Sequence, residues 1–283
     1  MASMRDIKRR RSSIQGTQQI TKAMKLVSTV KLQRARASAE RSKDYFTCMY
    51  DTVSSILSRV GNLDHRYLQP GKSAKKAVIV ITSNRGLAGG YNSNIVKLIT
   101  GHESWKKEDI VVYAIGNKGR DALNRHGYEI RESLPDLIED PTYADAMRLS
   151  DRLLGAFAAD EIGEIYLAYT SFKNTVSHIP KLLKLLPVEI EETSEESNAL
   201  MNFEPEDTEA LDMIVPKYIT SLIYGAMKEA VASENGARMQ AMDNATSNAE
   251  EMIADLSLKY NRARQGSITQ ELTEIIAGAE ALG

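Results

Sequence analysis

The residues best placed to do chemistry are the glycines of Gly86-Leu87-Ala88-Gly89-Gly90. They follow a β-branched apolar run, Ala77 to Thr82, and precede a helical pattern that starts at Asn92. A glycine loop between a strand and a helix is a common place for phosphate, because backbone N–H groups and the positive end of the helix converge there. The spacing here misses Gly-x-Gly-x-x-Gly, and no Gly-Lys-Ser/Thr follows to make a P-loop. The favoured reading is a structural turn, in which glycine supplies positive φ and close helix–sheet packing. ATP binding by the chain alone is accordingly expected to be no tighter than millimolar.

Other candidates lead away from catalysis. Lys8-Arg9-Arg10-Arg11 has the charge of a nucleic-acid arm, but no aromatic residue interleaves with it for base stacking. These cations lack acidic neighbours at i+3 or i+4, so they read as a stripe for an acidic partner. His65, His102, His126 and His178 are scattered without metal-ligand spacing. Cys48 is the only cysteine, which rules out an internal disulfide, and it has no evident activating base. No Ser-His-Asp set or carboxylate pair stands out, and no run approaches the roughly 20 apolar residues of a membrane span.

The elements that carry these residues fall into three segments. From Ser3 to Val60 there is no proline, and Gly16 is the only glycine, which predicts one long helix. Its apolar seam is Ile7, Ile14, Ile20, Met24 and Val27, thinning to Ala35, Ala39, Tyr45, Met49, Val53 and Ile56 before Gly61-Asn62 ends it. The middle alternates strand patterns (Ala77–Thr82, Asp109–Ile115, Ile162–Thr170) with helical ones (Asn92–Thr100, Lys118–Arg125, Tyr143–Ala159), which predicts a parallel α/β sheet. Val176–Val188 is expected to return as a further strand, although Leu182 to Leu186 fits a helix equally well. An acidic stretch, Glu189 to Glu209, reads as a loop.

From Asp207 the pattern is helical almost to the end, with Pro216 placed in the first turns and a seam through Met213, Ile214, Tyr218, Leu222, Met227, Val231, Met242, Ala245, Ala249, Met252 and Leu256. A helix of about 70 residues is about 100 Å long and needs a long partner. The N-terminal segment is the only candidate within the chain. The fold class is therefore α/β: a long antiparallel coiled coil of the N- and C-terminal helices with an inserted Rossmann-like α/β domain. The segments are 1–60, 61–206 and 207–283. Equal rise per residue sets Met24 opposite about residue 242 and Met1 opposite about residue 265. Beyond Gln265 the helix should overhang unpaired. There positive charge stops after Arg264, while Ile268, Leu272, Ile275, Ile276, Ala279 and Leu282 continue, as expected of a tip held in an apolar collar.

Three stretches resemble the gamma subunits of F-type ATP synthases. They are Met4-Arg5-Asp6-Ile7-Lys8-Arg9-Arg10 with Ile14 to Ser28, then Thr82 to Asn92, and Tyr260-Asn261-Arg262-Ala263-Arg264-Gln265-Gly266-Ser267-Ile268-Thr269-Gln270-Glu271-Leu272 through Ala279. The last is the most specific, and together they span the chain. Asn84, Ala88, Gly16, Gly236 and Arg11 depart from the family's usual residues.

The resemblance implies a noncatalytic subunit with no cofactor and no metal of its own. It implies a central rotor shaft that couples ion flow to ATP synthesis or hydrolysis and regulates ATPase activity and proton flow. Its partners would be the alpha and beta subunits of the catalytic ring, the epsilon subunit and the c-subunit ring, at the cytoplasmic face of a bacterial membrane as a peripheral protein. Nucleic acid is not among them. The implied contact residues are Met24, Lys25, Arg238, Arg264 and Gln265, with Ile268, Leu272 and Ile276 as the bearing tip. The competing readings are a nucleotide-binding α/β enzyme, which a nucleotide site on the isolated chain would favour, and a coiled-coil adaptor, which purification without an ATPase ring would favour.

Overall fold

The computed structural model describes residues 4–60, 65–188 and 207–280. Helix α1 spans Met4–Val60 and helix α5 spans Asp207–Glu280. Between them lie β1 (Lys76–Ile81), α2 (Tyr91–Thr100), β2 (Ile110–Ile115), α3 (Asn117–Arg125), β3 (Glu129–Ser133), α4 (Tyr143–Ala158), β4 (Glu164–Phe172) and β5 (His178–Leu186). The turn Gly61-Asn62, the acidic stretch up to Glu206, Met1 and Leu282 lie outside the described residues, as do the side chains of Ala39, Tyr45 and Ile56.

Two compact units form: Met1–Ser28 with Met239–Gly283, and Thr29–Arg238. The larger unit is built on one sheet in the order β3-β2-β1-β4-β5. β1 pairs in parallel with β2 and β4, β2 pairs in parallel with β3, and β5 closes the edge antiparallel to β4. The ambiguous Leu182 to Leu186 run is therefore strand. Pairing with β4 takes up its backbone groups, and Leu185 and Leu186 are buried.

β3 has no counterpart in the sequence expectation. Its residues, Glu-Ile-Arg-Glu-Ser, are too polar to look like a strand. It holds as an edge because its charges are answered locally: Arg131 by Glu161 at 3.0 Å, Glu129 by Lys75 at 3.6 Å and Glu132 by Arg152. Charged side chains on an edge also discourage further pairing.

Each face of the sheet buries its own cluster. On one face, Ile95, Val96 and Ile99 of α2 and Leu123 of α3 cover Val78, Val80, Val112 and Ala168. On the other, Leu149, Leu153 and Phe157 of α4 join Leu211, Val215, Ile219 and Ile223 of α5 over Ile79, Ile81, Val111, Ile165 and Leu167. The first half of α5 is thus a layer of the α/β core. Each of its four fully buried aliphatic side chains contributes about 1.5–3 kcal/mol of transfer free energy. This packing holds a helix that proline would otherwise weaken. Pro216 lies inside α5, past its first turn, and Thr220 donates its hydroxyl to the Pro216 carbonyl at 2.8 Å.

Candidate functional site: the grip on α5 and the helical arm

The glycine loop is the first part of the grip. Gly89 takes φ 56°, and Leu87 takes φ 63° although it has a Cβ. Close packing belongs instead to Gly116, at φ 98°, where a Cβ would lie 2.1 Å from the Thr82 carbonyl oxygen. Polar groups flanking the loop are used by the fold. Ser83 N donates to Asn92 Oδ1 at 2.9 Å, and Asn117 N donates to Asn84 Oδ1 at 3.1 Å. The Asn84 amide donates to the Pro135 carbonyl at 2.8 Å, a bond that the family's usual aspartate cannot make.

Two loop carbonyls, Arg85 and Gly86, accept from the Arg238 guanidinium at 3.4 and 3.5 Å. Arg238 pairs with Glu234 one turn earlier at 2.7 Å, and the two side chains are only 12% and 14% exposed. Along the same stretch of α5, Tyr91 donates its hydroxyl to the Ala230 carbonyl (3.2 Å), Ser233 donates to the Thr170 carbonyl (3.1 Å), and Phe172 N donates to Glu229 (3.2 Å). Burial pushes the Tyr91 phenol well above its ordinary range; burial and the nearby Glu229 push Tyr169 up to about 12. Near the start of α5, Asp212 accepts from Arg66 at 2.8 Å and lies 3.3 Å from His65 Nε2. His65 Nδ1 accepts from Tyr67 N, which leaves Nε2 as the protonated nitrogen facing Asp212. Strand, loop and turn residues thus clasp α5 from Asp212 to Arg238.

The smaller unit is a pair of helices. Arg11 lies over the Tyr260 ring at 5.5 Å, and Gln18 donates to Glu250 at 3.1 Å. Thr21 and Thr246 share a buried hydroxyl–hydroxyl bond of 2.8 Å, and Lys25 pairs with Asp243 at 2.6 Å. Partners descend on α5 as they ascend on α1, so the helices are antiparallel. Lys25 opposite Asp243 puts Met24 close to Met242, as equal rise predicts.

The seam itself differs from the expected one. Ile20 and Val27 are 62% and 57% exposed, as Leu26 also is, while Thr21, Ser28 and Leu32 are buried. On α5, Met213 and Met252 likewise face outward, and Ile253 takes the inward place of Met252. In both helices the heptad lattice passes through hydroxyl residues, leaving neighbouring apolar residues outside. Arg9 is a second correction: it has an acidic partner, Asp6, three residues earlier at 3.7 Å, with both side chains exposed.

The remaining predicted residues are placed as follows. Met24 and Lys25 are half-buried beside α5, whereas Arg264 and Gln265 are exposed. Ile268, Leu272, Ile275 and Ile276 are 49–68% exposed, and every residue from 268 to 279 is exposed. Arg238 belongs to the larger unit, where its guanidinium is engaged. Glu229, Ser233, Glu234 and His178 were not legible as site residues. For the three on α5 the only sequence signal is polar residues recurring among apolar ones, and His178, on β5, gave no signal.

Known proteins decide what this arrangement belongs to. The ATP synthase family profile matches residues 3–282. The ATP synthase gamma chain of Lachnoclostridium phytofermentans is 65% identical, covering 100% of both chains. The chain belongs to the ATP synthase gamma family. Another gamma-family relative, from Acetobacterium woodii and described as sodium ion specific, is 39% identical over 99% of each chain. A chain of the Euglena gracilis mitochondrial ATP synthase (OSCP/F1/c-ring, rotational state 3) has the same fold, with TM-score 0.67 and 19% identity over 98% of this chain and 94% of that one. Among the described residues of this gamma-family chain, no helix is long and apolar enough to cross a membrane, and no cluster of His, Cys, Asp and Glu suits a metal ion.

Proposed function

We propose that this chain is the central rotor shaft of an F-type ATP synthase and carries no catalytic residue, nucleotide or metal itself. The observation that carries the reading is 65% identity to a gamma chain from end to end, in a chain with an antiparallel helical arm and an exposed apolar end. In this reading the arm enters the ring of alpha and beta subunits. The α/β unit meets epsilon and the c-subunit ring at the cytoplasmic face of the membrane.

The mechanism follows from symmetry. One asymmetric shaft in a threefold ring offers a different face to each catalytic subunit, and each face favours a different conformation of its neighbour. Turning the shaft therefore takes every site through the same sequence of states. Met24 and Lys25 sit on the paired part, where two helices bearing on each other resist bending. Arg264 and Gln265 offer a guanidinium and an amide to a ring loop, with arginine suited to bidentate carboxylate pairing. Ile268, Leu272 and Ile276 form the pivot. Ile20, Leu26 and Val27 present a further apolar face to the ring. Arg238 acts indirectly by fixing the glycine loop to α5.

Purification of the assembled complex tests this reading. One copy of this chain per three catalytic subunits is expected; equimolar amounts, or absence from the complex, would contradict it. The basic stripe gives a separate expectation. Replacing Lys8, Arg9 and Arg10 with glutamine should weaken assembly and make it more salt-sensitive while leaving the melting of the α/β unit unchanged. The exposed Arg9–Asp6 pair is worth well under about 1 kcal/mol. A lower melting temperature of the α/β unit would make the stripe structural.

A further inference from the structure

His178 opens β5 and pairs with Phe172 across the hairpin. Its ring lies against α5 at Gly236. A Cβ on Gly236 would be 2.6 Å from Cε1 and 3.1 Å from Nε2, so the imidazole occupies space that any other residue's side chain would need. Phe172 flanks the ring with centroids 5.9 Å apart. Nδ1 and Nε2 are both enclosed, and neither makes a hydrogen bond of good geometry.

A neutral imidazole carries one N–H and one lone pair, whereas the cation carries two N–H donors and a charge. This seat offers them only the Thr175 backbone, and it penalises the cation far more than the neutral ring. Burial accordingly pushes the His178 pKa below its ordinary 6.5, with the Thr175 backbone offsetting this only in part. The charged groups nearby offer the cation no partner. On α5, Glu234 and Arg238 hold each other, and Glu229 accepts from Phe172 N. On the hairpin, Lys173 has the same sign as the imidazolium, and Thr170, Ser171 and Phe172 of β4 carry no charge.

We infer that His178 and Gly236 form a proton-operated latch holding the β4–β5 hairpin on α5. The neutral ring seats in the notch, and protonation releases it. In the released hairpin the ring titrates near 6.5, and in the seated hairpin it titrates lower, so the released form takes up the proton first. Seating is therefore independent of pH above about 6.5 and weakens as pH falls below it. Release removes a contact next to the Ser233–Thr170 and Glu229–Phe172 bonds, so the grip on α5 loosens in acid. The latch is a property of this chain and stands apart from its assignment as a shaft.

The test combines an NMR titration of 15N-histidine-labelled full-length chain with amide exchange of residues 172–178 near pH 7.5 and near pH 5. The expected titration midpoint is below 6.5. Protection of the hairpin amides, corrected for intrinsic rate, should drop at least about threefold in acid. His178→Phe keeps a ring in the notch without a proton to gain and should hold protection constant. Gly236→Ala closes the notch; it should bring the midpoint to about 6.5 and expose the hairpin at both pH values. A wild-type midpoint at or above 6.5, or the same acid-dependent loss in His178→Phe, would overturn the latch. Because His178→Phe leaves α5 untouched, it decides the matter even if Gly236→Ala fails to fold.

Discussion

Arg238→Ala will lower the stability of the α/β unit by about 2 kcal/mol and loosen the glycine loop from α5. Removing the guanidinium strands the Glu234 carboxylate in a site where it is only 14% exposed, and it takes the α5 donor away from the carbonyls of Arg85 and Gly86, of which Arg85 keeps the Ser83 hydroxyl. Breaking a fully buried ion pair costs about 3–5 kcal/mol, and the residual exposure here scales that down. The double variant Arg238→Met, Glu234→Leu will regain most of the loss, because no charge is then left unpaired. Chemical denaturation of the three proteins checks both values. In the assembled enzyme Arg238→Ala should also lower ion pumping more than ATP hydrolysis, since torque must cross this contact. A double variant no more stable than Arg238→Ala would mean that the pair is not the source of the effect.

Cysteines replacing Met24 and Met242 will cross-link within the chain on mild oxidation, and cysteines replacing Met24 and Leu272 will not. Flanking contacts fix the register: Thr21 meets Thr246 at 2.8 Å and Lys25 meets Asp243 at 2.6 Å. A disulfide requires Cα atoms within about 7 Å, which a facing pair on two close helices satisfies. Leu272 lies about 30 residues further along α5, about 45 Å away at 1.5 Å per residue. The same register leaves 268–279 without a facing helix, and those residues are all exposed. Deleting everything after Gln265 should therefore reduce assembly and torque but leave rotation in place, whereas disrupting the pair at Met24 should damage coupling. Cross-linking of the distant pair instead would mean a different register.

The sequence was most informative where one environment acts on a whole element. Ala77 to Ile81 and Ile110 to Ile115 are buried on both faces, so nothing interrupts their apolar runs, and both are strands. The two long helices were legible because nothing in α1 breaks a helix and because tertiary packing outweighs Pro216 in α5. β3 escaped notice because an edge strand with local ion pairs needs no apolar pattern. The seam was half legible. Ile7 and Ile14 lie on it, but Thr21 and Ser28 take the next places, while Ile20 and Val27, one step away, point outward. A helix with apolar residues on two faces does not announce which face meets its partner; only the second helix, through Thr246 and Asp243, sets the phase. The grip on α5 was hidden for a similar reason. Its bonds join side chains to backbone groups far away in sequence, and such pairs leave no local pattern.

The central claim is that the chain turns inside the ring, and direct observation of rotation tests it most plainly. The catalytic ring is immobilised and a visible probe is fixed to an exposed position on the α/β unit, such as Arg148 replaced by cysteine in a chain lacking Cys48. On addition of ATP the probe should turn continuously in one direction, pausing about every 120° as a threefold ring dictates. A ring that hydrolyses ATP at its full rate while the probe stays still would contradict the account.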